Sequence, residues 1–468
     1  MNKVTRILLA IGLILAVAAP AFAEFKLNGY YRMIGYNEQK KMITQEDGQG
    51  QQFIDQRLRM RANWTLNDYV GLVYFGEVDT TWGENNKAAW GQGGMSNLKG
   101  GGADGVNVET KMAYLDLKYE DTSLSLGVQG VADNVQSIVA NDDMAAAQLT
   151  QKIGGATIHA AYSKWDEDVD GVGTSYSSGS ANETNRRNEW DDFDFYLLEA
   201  SYKFSDAFKV GINGYFMDDN RDSDLRTATN TNPALYSDIG VRNNEVYFYG
   251  VNAAANFGAF GIDGFVLAQD GKMELSTGQD MDYFGYAASV KGTFKLANGD
   301  IGLRAIYFSE DDEEDEIGAW QGFKGEYAFV SENQMQFLTD PYVMNDGKER
   351  YAEADAATQG YGLMALVLSG NHKLPQDMYL KWGVGYYMAA DDKANIGVNG
   401  AEVEREGDTL GYEGCLRIGK KFFEKVDVSL NGSYAVYDDF YDNTVTEDGK
   451  KGDPDDTYKA YLMVNVPY

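Results

Sequence analysis

The strongest constraint on this chain is an apolar/polar alternation that recurs along its length and is broken by connections sorted by size. Tyr458, Ala460, Leu462, Val464, Val466 and Tyr468 share one face of an extended segment, against Lys459, Tyr461, Met463 and Asn465. Val426, Val428, Leu430, Gly432, Tyr434 and Val436 repeat the pattern against Asp427, Ser429, Asn431 and Ser433. Ile54, Leu58, Met60, Ala62, Trp64 and Leu66 do so against Asp55, Arg57, Arg59, Arg61, Asn63 and Thr65. Successive strand residues point to opposite faces, so a period of two is a strand signal.

The same reading predicts strands over 25–36, 53–66, 70–82, 107–119, 122–130, 143–153, 156–166, 193–204 and 208–218. It continues with 244–257, 259–269, 281–296, 300–309, 359–372, 377–389, 409–423, 425–437 and 457–468. The alanine-rich 143–153 carries the weakest pattern. Every second connection is long: 37–52, 83–106, 131–142, 167–192, 219–243, 270–280, 310–358, 390–408 and 438–456. Those between are tight, as at Glu120-Asp121, Gly154-Gly155 and Ala297-Asn298-Gly299. A barrel with long extracellular loops and short periplasmic turns requires that sorting, and a soluble sandwich does not. The expected fold is all-β: a transmembrane antiparallel β-barrel of 18 strands.

The amino terminus agrees. Lys3 and Arg6 precede an apolar run from Ile7 to Ala19 and an Ala21-Phe22-Ala23 cleavage site, the layout of a signal peptide over 1–23. Residues 24–468 then form the barrel domain. The mean hydropathy of −0.42 does not oppose a membrane barrel, since only alternate strand residues meet lipid. Aromatics gather at strand ends, at Trp64, Tyr69, Tyr119 and Phe257 beside tight turns, and at Tyr36, Phe53, Trp82, Trp165, Tyr387, Tyr412 and Tyr437 on the outer side. Two interfacial girdles are expected from them. Cys415 is the only cysteine, which excludes an internal disulfide or a cysteine-ligated cluster. A net charge of −32 makes nucleic acid a poor partner.

The terminal Tyr458 to Tyr468, alternating and ending on an aromatic residue, resembles the signal read by the barrel assembly machinery in Gram-negative outer-membrane porins. Tyr468 departs from their more usual Phe. The stretch Gln56 to Leu66 is similar to an early porin strand. The resemblance implies outer-membrane lipid and lipopolysaccharide as surroundings and is compatible with a homotrimer.

Candidate pore-lining residues follow from the cost of charge in lipid, about 2–4 kcal/mol each at the midplane. That cost turns Arg57, Arg59 and Arg61 inward, with Arg32 on the preceding strand. They read equally as the cationic half of a constriction or as an ion-pair ladder with Glu77 and Asp79. Val131 to Asp142 holds the place of an infolded porin loop, and its Asp133, Asp142 and neighbouring Asp143 are candidates to oppose the arginines. Only position supports infolding, so a surface loop is the default expectation. The 83–106 loop is a rival plug.

Asp166, Asp168 and Asp170 resemble the start of a calcium loop, but its twelfth position is Ser177, so a solvated acidic loop is the safer reading. Loose Ca²⁺ or Mg²⁺ at acidic outer loops stays open, and no cofactor is otherwise expected. With His159 and His372 alone, neither a multi-histidine metal site nor a barrel hydrolase is supported. The chain therefore reads as a non-enzymatic, water-filled channel for passive diffusion of small hydrophilic solutes and ions, with some cation preference at the mouth. A channel selective for sugars, phosphate or carboxylates, in which Tyr30, Tyr114, Tyr215 and Tyr461 face inward, is one alternative. A plugged surface barrel acting as an adhesin through the 310–358 loop is another.

Overall fold

In the computed structural model the described residues are 24–40, 49–82, 108–167, 192–220, 241–275, 280–310, 316–320, 362–391, 393–394, 403–404, 407–442, 444–445, 451–452 and 456–468. The 1–23 segment, the 83–106 loop, Asp168 and Asp170 lie outside them. The main sheet has 19 members. One is the two-residue segment Glu316–Ile317, which leaves 18 barrel strands. These are β1 (Glu24–Lys40), β2 (Gln49–Asn67), β3 (Val70–Thr81), β4 (Glu109–Tyr119), β5 (Thr122–Ala132) and β6 (Asn141–Ile153). Next come β7 (Ala156–Glu167), β8 (Asp192–Ser205), β9 (Phe208–Asp219), β10 (Val241–Phe257), β11 (Phe260–Leu275) and β12 (Asp280–Leu296). The last are β13 (Gly299–Phe308), β14 (Leu363–Leu374), β15 (Met378–Met388), β16 (Thr409–Phe422), β17 (Val426–Tyr437) and β18 (Thr457–Pro467).

Each strand pairs antiparallel with the next, and β18 pairs with β1 from Tyr30↔Pro467 to Gln39↔Tyr458, which closes the ring. Closure leaves no sheet edge whose backbone groups would go unpaired in lipid. Several strands outrun their predicted ends: β1 runs to Lys40, and β11 to Leu275. The added residues, such as Asn37 to Lys40, are polar and carry no alternation, so their strand character comes from pairing alone. The 270–280 connection shrinks accordingly.

Parity separates two walls. Ile212 and Leu198 are 63 % and 61 % exposed on the outer face, whereas Phe195 and Phe248 on the inner face are 0 % and 1 % exposed. Cross-strand aromatics line the outer face: Tyr162–Tyr196, Tyr196–Phe216 and Phe216–Tyr247 sit 5.1, 5.8 and 4.5 Å apart along β7–β10. Trp82 and Tyr412 also point outward. Tyr36, Phe53, Tyr387 and Tyr437 do not join this girdle. They occupy lumen-facing register positions, and Tyr36 stacks on Phe53 at 4.6 Å. A strand-end position says only that an aromatic is near an interface; parity decides which side of the wall it occupies.

The terminal Tyr468 is held on both sides. Its N–H donates to the Gly29 carbonyl at 3.0 Å and its own carbonyl accepts from Gly29 N–H at 3.2 Å. Its hydroxyl donates to the Arg59 carbonyl at 3.0 Å, two strands away. A side chain at Gly29 would collide with that carbonyl and with the tyrosine hydroxyl. Gly29 thus leaves room for the hydroxyl contact that a terminal Phe could not make.

Candidate functional site

The inward charges of β1–β3 form one wall of the lumen. Register places Arg32 opposite Arg57, Tyr30 opposite Arg59, and Asn28 opposite Arg61. On the other side, Arg57 meets Asp79, Arg59 meets Glu77, and Arg61 meets Phe75. Arg57 Nη2 lies 2.9 Å from Asp79, and its Nε lies 3.4 Å from Glu77. Arg59 Nε pairs with Glu77, which is almost fully buried. These two arginines form an ion-pair ladder, one of the two readings that the sequence left open. Arg61 instead donates to the Tyr114 hydroxyl at 2.7 Å and to Asn63 at 3.3 Å. Arg32 lies over the Tyr30 ring at 5.9 Å. Neither Arg32 nor Arg61 has a carboxylate partner among the described residues. The four predicted arginines therefore divide into two neutralised and two that keep their charge towards the lumen. Glu109 joins Glu77 and Asp79 in one acidic group, whose charge is balanced in part by Arg57 and Arg59.

The segment 133–140 between β5 and β6 folds into the barrel, against the default expectation of a surface loop. Asp133 builds it. One carboxylate oxygen accepts from the backbone N–H groups of Val135 and Ser137 at 2.9 and 2.7 Å. The other accepts from Val139 and Ala140 at 2.7 and 2.9 Å. Burial pushes this carboxyl up to about 6, against the four N–H donors that pull it down. Val135, Ile138 and Val139 are buried beneath the turn.

Lumen-facing side chains of distant strands receive the loop. Asn134 N–H donates to Glu199 on β8 at 2.8 Å, and Asn252 on β10 donates to the Asn134 carbonyl at 3.4 Å. Gln136 donates to Asp263 on β11 at 3.2 Å and accepts from Arg304 on β13. Glu199 also accepts from Tyr215 at 2.7 Å, and its other oxygen lies 3.3 Å from His159 Nδ1. His159 is a lumen residue that shares its strand face with Thr157 and Ala161.

A second segment enters the same side. Glu316–Ile317 pairs parallel with Asp282 and Tyr283. Trp320, fully buried, packs on Phe248 and Phe308 at 5.3 and 6.4 Å. Residues 316–320 of the 310–358 loop are thus packed inside the barrel.

Two of the predicted acids do not serve as constriction carboxylates. Asp133 spends both oxygens on its own loop. Asp143 is one position out of phase with the inward Met144, so it lies on the opposite strand face, where Lys111 sits 3.0 Å away. Asp142 keeps inward register beside Val131. Asp166 falls at the outer end of β7, in register with Phe193. The residues that receive the loop, Glu199, Asp263 and Arg304, went unrecognised in the sequence. They lie on strands far from the loop in sequence, and no local motif marks them. In a ring of 18, β2 and β11 are half a circumference apart, so the arginine wall faces the docked loop across the lumen.

No family model matches the chain, and no curated protein matches its sequence. Solved structures match its fold over nearly the whole length. A BenF-like porin from Pseudomonas fluorescens Pf-5 superposes with a TM-score of 0.54 at 12 % identity, covering 95 % of this chain and 98 % of that one. OccK2 (OpdF) of Pseudomonas aeruginosa, crystallised with glucuronate, gives 0.54 at 11 % identity over the same shares. OpdK of the same organism, crystallised with vanillate, gives 0.53 at 10 % identity, again over 95 % and 98 %. The fold is that of an 18-stranded outer-membrane porin.

Proposed function

We propose that this barrel is an outer-membrane channel through which small hydrophilic solutes diffuse passively between the arginine wall and the docked 133–140 loop. The observation that carries this reading is the pairing of a loop anchored inside the lumen with inward cations across from it. A closed barrel serving only as a surface scaffold has no need of that arrangement. Selection would follow from a narrow passage and from fixed charge on its wall, which favours one sign of solute and penalises apolar ones.

One observation favours a narrower reading. Arg32 and Arg61 present guanidinium groups without a carboxylate partner among the described residues, beside Tyr30 and Tyr114. A guanidinium recognises carboxylates through paired N–H donors. Two structures of the same fold were crystallised with vanillate and glucuronate, both carboxylates. Preference for small organic carboxylates is therefore the second reading, in place of a cation-preferring mouth. Planar-bilayer recording of the purified protein tests both. Ohmic steps support the channel, and a reversal potential favouring anions supports the carboxylate reading. Absence of steps from folded protein would rule out the channel.

A further inference from the structure

Register places lysines on the lumen face at the periplasmic end of five of the eight tight hairpins, those of β6–β7, β8–β9, β12–β13, β14–β15 and β16–β17. Lys152 stands opposite Thr157 beside the β6–β7 turn, and Lys203 directly opposite Lys209 at the β8–β9 turn. Lys295 is opposite Asp300, Lys373 opposite Tyr379, and Lys421 opposite Asp427. All six are exposed. Of these, only Lys203 has a carboxylate within ion-pair distance among the described residues, Asp206 in the adjoining turn at 2.6 Å. The carboxylate opposite Lys421 is taken instead: Asp427 accepts from the Tyr379 hydroxyl at 2.8 Å and lies 3.8 Å from Arg417. Asp300 accepts from Asn371 at 2.9 Å.

Like charges directly opposite each other destabilise a strand pair, and the barrel holds Lys203 against Lys209 and Lys381 against Arg417 on this inner face. Lipid headgroups do not account for the pattern, because these side chains share parity with the lumen. The rim cation on the lipid face is a different residue, Lys420, which lies over Phe422 at 5.2 Å. Strands are spaced by about 4.8 Å. Lysines on neighbouring hairpins therefore stand roughly one Debye length apart, ~8–10 Å at physiological salt, and their fields overlap.

We infer that the periplasmic mouth of the lumen is a binding vestibule for multiply charged anions, formed by this lysine ring and distinct from the arginine wall above it. A ring around the circumference cannot grip one small monoanion through several ammonium groups at once, whereas a chain of phosphates or carboxylates bridges neighbouring hairpins. The inference builds on the channel reading for access but concerns a separate set of residues.

Sodium tripolyphosphate added to one side of single inserted barrels provides the test. Block from one face is expected at an about tenfold lower concentration than from the other, because the charge is concentrated at one mouth. Raising the salt should weaken it. The double variants Lys203→Gln with Lys209→Gln, and Lys373→Gln with Lys421→Gln, should each reduce the sided block while leaving that from the other face unchanged. Equal block from both faces of the wild type would overturn the inference, as would sided block that survives in both folded variants. If the folded barrel gives no steps, the channel reading fails alone, and calorimetry of tripolyphosphate with detergent-solubilised protein decides this one. Salt-sensitive binding lost in the variants upholds it, and no binding to the wild type refutes it.

Discussion

The two walls of the lumen solve the problem of inward polarity in opposite ways. On β1–β3 charges stand close together and are only partly matched: Arg57 and Arg59 have carboxylates, while Arg32 and Arg61 have aromatic and amide neighbours. On β8–β13 the inner face around the docked loop carries tightly packed apolar side chains, with Phe195, Phe248, Leu267 and Phe308 at 0–1 % exposure. Among its polar groups, Glu199, Asn252, Asp263 and Arg304 are engaged by the 133–140 loop. One wall is thus a surface that solutes can meet, and the other is a foundation. A barrel this wide needs both, because a loop can narrow the passage only if something inside holds it down.

The foundation is broken most directly at Asp133. Asp133→Ala removes the acceptor for four N–H groups, three of them on buried residues. Each unsatisfied group costs about 1–3 kcal/mol, so the loop should leave its seat. Single-channel recordings should then show larger and noisier conductance than the wild type. Asp133→Asn keeps one oxygen for two of the four donors and should fall between. Unchanged conductance in the alanine variant would mean that the loop does not narrow the passage.

The charged wall is tested by separating its two kinds of arginine. Arg32→Ala with Arg61→Ala should lower anion preference in the reversal potential without loss of folding, since no carboxylate is left unpaired. Arg59→Ala leaves Glu77 buried without its closest cation and should also lower thermal stability, by about 3–5 kcal/mol for a broken buried pair. Equal effects of the two variants on both readouts would erase the distinction between ladder and selector.

A smaller effect is expected from pH. Burial raises the Asp133 carboxyl to about 6, above the ordinary aspartate value. The docked loop therefore binds a proton more readily than the undocked loop does. The resulting contribution to docking is full below the ordinary value near 3.8 and is lost as pH rises through about 6. Loop noise should be lower at pH 5 than at pH 7.5, and the difference should vanish in Asp133→Asn. The reverse trend would show that the four N–H donors outweigh burial.

Much of this arrangement was legible beforehand, for a specific reason. Lipid punishes a wrong parity, so Leu58 against Arg57 and Leu462 against Tyr461 declare their faces in the sequence. The lumen imposes no such rule. Tyr36 and Tyr387 looked like interfacial aromatics because nothing in composition separates a ring facing headgroups from one packed inside. The infolded loop could be placed by its position in the chain but not read from its residues. The groups that hold it lie on strands more than 60 residues away, with no local motif to tie them to it. Asp133 illustrates the limit: an acid in a polar loop suggests an exposed charge, and only the turn geometry shows it facing its own backbone.

The smallest effect concerns the seam that closes both walls. Tyr468 ends the chain on the lipid side and ties β18 to β2 across Gly29 through its hydroxyl. Tyr468→Phe keeps the ring and the two backbone bonds to Gly29, losing one hydrogen bond of net worth about 1 kcal/mol. Folding yield and channel properties should match the wild type, while the unfolding midpoint should fall slightly. Gly29→Ala should fall further, because its methyl group meets the Arg59 carbonyl itself and not merely a side chain that can turn away. If the phenylalanine variant proved the less stable of the two, the hydroxyl and not the close backbone approach would be what holds the seam.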